Sequence, residues 1–113
     1  MSDDRLPTHL LVGAALARCS AHGTPAAVLH KGERSSGVLL VKISRIPEGA
    51  RLLTQQRDID GVLGWVPALA NERMEEMDAD AYIARAIDRD PDLWAIEIED
   101  PKGQNPFDPK EVE

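Results

Sequence analysis

Asp90-Pro91-Asp92-Leu93-Trp94-Ala95-Ile96-Glu97-Ile98-Glu99-Asp100 is the stretch whose reading decides the fold. Trp94, Ile96 and Ile98 recur at period two and point to one side of an extended chain, while Leu93, Ala95, Glu97 and Glu99 point to the other. The spacing predicts a strand anchored by those three large side chains, each stabilising the fold by roughly 1.5–3 kcal/mol on burial. A slip of one residue would put the indole in water and Glu97 in the core, so the register is strongly specified. Pro91 forbids helix at Asp90, so whatever helix precedes the strand ends there.

That helix is predicted over Ala79–Arg89, with Asp78 as its N-cap and Tyr82, Ile83, Ala86 and Ile87 as its apolar stripe. Residues 70–77 read either as loop or as an early helical turn. Upstream, Val62–Ala68 reads as a strand carrying Trp65, with Pro67 forcing an edge or bulge. Ala50–Arg57 and Val38–Arg45 read as two further strands. Turn signatures at Pro47-Glu48-Gly49 and Asp58-Ile59-Asp60-Gly61 bound them. Ala26–Lys31 is apolar on both sides and reads as an interior strand. Gly32–Gly37 then reads as a hairpin loop. A first helix is predicted over Leu10–Ala21, with Thr8 as N-cap and Gly23 just past its end.

Hairpin-linked strands imply an antiparallel meander. The expected architecture is therefore α+β: an N-terminal helix, a four-strand antiparallel meander, a second helix and a fifth strand. Both helices are expected on one face, giving a two-layer sandwich. One domain is expected over residues 1–104. Residues 105–113 read as a weakly ordered tail with Phe107 as its one anchor.

The combination of first helix, hairpin (Lys31-Gly32-Glu33 followed by Ser36-Gly37-Val38) and the Asp90–Asp100 stretch resembles a family of short bacterial proteins. That family is catalogued as domain of unknown function fourteen ninety-one, and the resemblance covers residues 8–104. It implies a small, free-standing, soluble bacterial protein and carries no functional residue with it.

Composition removes several classes of function. The net charge of −7 opposes non-specific binding to nucleic acid or an anionic membrane surface. Residues 1–57 carry eight Lys and Arg against four Asp and Glu, a net of +4. Residues 58–113 carry five against sixteen, a net of −11. The two halves should attract one another. A lone cysteine, Cys19, excludes an intrachain disulfide and fits a reducing cytoplasm. The acidic start Met1–Arg5 lacks the positive charge of an export signal, and the apolar run Leu10–Ala17 is far too short to span a bilayer.

Two functional readings follow. Asp90, Asp92, Glu97 and Glu99 form an oxygen-rich cluster of the kind that holds Mg²⁺ or Mn²⁺ and activates water, the mark of a small metal-dependent hydrolase. Against it, Asp-Pro-Asp is an ordinary helix-to-strand turn, and exposed carboxylates are usually only solvated. Lys31, Lys42, Arg45, Arg51 and Arg57 should place some cations beside Glu97 and Glu99 on an open sheet face. Cys19 and His22 lie three apart on a helix, but no second pair completes a metal site and Cys19 sits on the apolar stripe. Lacking a credible nucleophile and base, the chain reads first as a non-catalytic, cytoplasmic interaction module without a cofactor. Its partner would be a protein or a second copy of itself, with no nucleic acid and no membrane.

Overall fold

Seven elements follow one another in the order helix, four strands, helix, strand: α1 (Thr8–Ala21), β1 (Ala26–His30), β2 (Leu39–Ser44), β3 (Ala50–Arg57), β4 (Leu63–Pro67), α2 (Glu76–Arg89) and β5 (Trp94–Glu99). They come from a computed structural model that describes residues 6–111. The expectations for Met1–Arg5 and for the last two residues of the tail lie outside the described residues. Among the described residues no helix is long and apolar enough to cross a membrane.

The α+β class and the order of elements are as expected, but the sheet is mixed. Its strand order is β1-β5-β2-β3-β4. β2, β3 and β4 form the antiparallel meander. β1 does not join it, because β5 inserts between β1 and β2, antiparallel to the first and parallel to the second. The Gly32–Gly37 loop is therefore a gate, wide enough to admit a strand, and not a tight hairpin. The amide of Glu33 donates to the Asp92 carbonyl at 2.8 Å, and the Trp94 indole N–H donates to the Glu33 carbonyl at 2.7 Å. A Cβ on Gly32 would collide with the Asp92 and Leu93 carbonyls, so only glycine permits this approach.

The helices lie on opposite faces, which makes the molecule three layers deep instead of two. Val12 and Cys19 of α1 pack on Leu39, Val41, Ile43, Leu53, Trp94, Ile96 and Ile98. Ile83 and Ala86 of α2 pack on Leu40, Leu52 and Ala95. The reason is visible in β2, every residue of which is buried. A strand with apolar residues at both alternations needs cover on both sides. Trp94, Ile96 and Ile98 sit opposite Leu39, Val41 and Ile43 and are at most 4% exposed.

Thr8 is the first residue of α1 and not its cap. Its amide and that of His9 donate to the carbonyls of Ser35 and Arg34, and its hydroxyl donates to the Gly37 carbonyl at 2.8 Å. The loop thus satisfies the free donors of the first turn. α2 starts at Glu76, three residues earlier than read, and Asp78 falls inside its first turn, where its charge suits the helix dipole. Before it, Met74 bridges to Ala50 in an extended segment.

Residues 101–111 are packed, in contrast to the weakly ordered tail read for residues 105–113. Asn105 is fully buried, Phe107 packs against Trp65 in a tilted arrangement with ring centroids 5.6 Å apart, and the Glu111 carboxylate accepts from Arg51 at 2.9 Å. The composition suggests disorder because four prolines and glycines punctuate it, yet those residues form turns that carry the anchors inward.

Candidate functional site

The acidic stretch is distributed and not gathered. Asp90 caps the end of α2, and its carboxylate accepts the Asp92 amide at 3.1 Å, the tight turn expected of Asp-Pro-Asp. Both aspartates are exposed at the start of β5. Glu99 is exposed at its far end, while Glu97 turns toward α2. Among the described residues no three His, Cys, Asp or Glu side chains come together as metal ligands.

Glu97 belongs to a different constellation. The Lys42 ammonium, on a side chain only 2% exposed, lies 2.7 Å from Glu76, 2.7 Å from Asp80 and 2.9 Å from Glu97. The Ser44 hydroxyl donates to the second oxygen of Glu76 at 2.7 Å. The expected pairing of a β2 cation with Glu97 is present, but the face is covered by α2 and not open. Glu76 and Asp80 were not foreseen. They are four apart on α2 and so share a helix face, and only the tertiary fold aims that face at Lys42. Burial by itself would lower the lysine's pKa. The hydrogen bonds it donates to Asp80, Glu76 and Glu97 outweigh it and hold the value above that of an ordinary lysine. An ammonium has three donors and all three are spent here, so Lys42 is neither nucleophile nor base.

Cys19 and His22 line one cavity of about 300 Å³ together with Arg18, Asp100 and Lys102. They do not form a reactive relay. Burial pushes the Cys19 thiol up, which keeps it protonated near neutral pH. The His22 Nδ1 lies 2.8 Å from the Arg18 carbonyl. The two Asp100 oxygens accept the backbone amides of Lys102 and Gln104.

The feature without an internal explanation is β1. Read as interior because it is apolar on both sides, it is instead an edge strand. Ala26, Ala27, Val28 and Leu29 are all exposed, Val28 by 41% and Leu29 by 44%. Glu99 donates to the Pro25 carbonyl, so antiparallel alternation turns the backbone groups of Ala27 toward β5 and those of Ala26 and Val28 outward. A bulge follows between Val28 and His30. Natural edge strands are usually blunted by charge or shortness. This one is blunted by Pro25 before it and by the bulge and Lys31 at its far end, while residues 26–29 carry no charge.

The fold and site define a small α+β protein with a mixed sheet, a charged clamp around Lys42 and an uncharged exposed edge strand. The chain belongs to the DUF1491 family: the model described as "Protein of unknown function (DUF1491)" matches residues 6–108. It is similar to a DUF1491 family protein from Caulobacter crescentus CB15, whose crystal structure has a TM-score of 0.82 at 36% identity, covering 96% of this chain and 100% of that one. An NMR structure of a DUF1491 protein from the same organism gives 0.78 at 38% identity, with 96% of each chain covered. The solution structure of an A. tumefaciens protein gives 0.70 at 26% identity over 85% of this chain and 86% of that one. No curated protein matches the chain.

Proposed function

We propose that this protein is a non-catalytic interaction module of the bacterial cytoplasm that binds a protein partner along the free edge of β1. The observation that carries the reading is the exposed, uncharged run Ala26–Leu29, with outward backbone groups at Ala26 and Val28. An extended segment added there would gain main-chain hydrogen bonds and cover Val28 and Leu29. The spent donors of Lys42 and the dispersed carboxylates of β5 support binding over catalysis.

The test compares the wild-type chain with Val28→Lys/Leu29→Lys, which places two charges on the edge without touching the core. Quantitative affinity purification from the native cell should recover a partner with the wild type that the variant loses at least tenfold. Sedimentation of the purified protein distinguishes self-association, which would appear as a dimer that the same variant dissociates. A monomer whose recovered proteins are unchanged by the double substitution would overturn the reading.

A further inference from the structure

A second site stands apart from the edge strand, where the ends of β2 and β5 meet the segment before α2. Arg45, Arg51, Arg73, Lys102 and the backbone of Gly103 line a cleft of about 480 Å³, with Glu72 as its one lining carboxylate. Four cations converge in a chain whose net charge is −7. Bringing like charges together costs stability, so their assembly asks for a counter-charge.

The cleft is built by specific contacts. The Asp100 amide donates to the Ser44 carbonyl, which fastens the loop after β5 to the end of β2. Asp100 in turn holds Lys102 and Gln104 through its two side-chain oxygens and Gly103 through its carbonyl. Gly103 has φ +72°, and a Cβ there would meet the Arg45 side chain at 2.8 Å. Its carbonyl accepts from Arg51 at 2.5 Å. One glycine therefore seats two arginines.

The internal counter-charges do not cover the set. Arg51 pairs with Glu111 at 2.9 Å and Glu72 at 3.4 Å, and Arg45 reaches Glu48 only at 3.8 Å. Arg51 keeps a buried Nε without a hydrogen-bond partner. The exposed side chains of Arg73 and Lys102 make no ion pair among the described residues.

We propose that this cleft binds a phosphoryl group, with Arg73 and Lys102 as its principal ligands and Arg45 and Arg51 supplying the positive field behind them. A carboxylate satisfies one guanidinium, and the chain already supplies carboxylates to Arg51. A doubly charged group with three acceptor oxygens is the chemistry that several unspent cationic donors fit. The cleft volume leaves room for a small organic group on the phosphate.

The test follows backbone amide shifts of residues 72–73 and 102–104 as inorganic phosphate is added at constant ionic strength held with chloride. Saturable shifts are expected, and Arg73→Gln and Lys102→Gln should each weaken binding roughly tenfold or more, as loss of a charge-assisted hydrogen bond implies. Glu72→Gln, which removes the competing carboxylate, should tighten it. All three residues are exposed, so the fold tolerates these changes. Glycerol 3-phosphate in place of phosphate separates the sources: tighter binding identifies a phosphate ester, equal binding the free ion. Shifts that rise linearly without saturation, or that persist unchanged in the Arg73→Gln/Lys102→Gln protein, would overturn the proposal.

Discussion

Lys42 ties three elements with one atom. Its ammonium on β2 meets Glu76 and Asp80 from α2 and Glu97 from β5. Removing the ammonium would leave three carboxylates crowded in a partly buried place. Lys42→Met should therefore cost about 2–3 kcal/mol in urea unfolding, below the range for fully buried pairs because the carboxylates are 30–59% exposed. Adding Glu97→Gln should recover part of that loss, and a double-mutant cycle measures how much. The wild-type contribution has a definite pH sense. The folded-state pKa lies above the ordinary value of 10.5, so the stabilisation is complete below pH 10.5 and is lost only as pH rises through the folded value. Nothing in the sequence marks Lys42 apart from Lys31 or Arg57. Its partners come from 34, 38 and 55 residues away, a separation that no local pattern encodes.

Among the elements, β5 was legible and β1 was not, and the contrast is physical. Trp94, Ile96 and Ile98 alternate with smaller or charged residues, and alternation reports which side is buried. Ala26–Leu29 does not alternate, and an uncharged run reads the same in a sheet interior as on an edge awaiting a partner. The segment after β5 was misread for a related reason: its prolines and glycines suggest disorder, while its anchors Phe107 and Glu111 reach Trp65 and Arg51 far back in the chain. One of these anchors gives a clear pH prediction. The Glu111 carboxyl is pushed up by burial but held below its ordinary value of 4.5 by hydrogen bonds from Arg51 and the Asn105 amide. Its contribution is present above pH 4.5 and is lost as pH falls through the lower folded value. Glu111→Gln should cost about 0.5–1 kcal/mol at pH 7, and the gap from wild type should close in thermal melts taken progressively below pH 4.5.

In the molecule as a whole, the opposite charges of the two halves meet as the composition implies. Lys42 and Arg51 come from the basic half, and all of their ionic partners come from the acidic one. The phosphoryl cleft was not legible at all, because Arg45, Arg73 and Lys102 are remote in sequence and only the mixed sheet collects them. That sheet also makes the chain's completeness decisive. A chain ending at Asp92 would lack the interior strand that joins β1 to β2, leaving β1 with no ladder and the α1 side of the core without Trp94. Such a fragment should show no cooperative transition by circular dichroism. The position of β5, interior to the sheet and late in the chain, bears on how the protein is made. A ribosome adding about 5–20 residues per second releases β1 several seconds before its only neighbour exists. Throughout that interval the nascent polypeptide carries an apolar ribbon with neither of its edges paired.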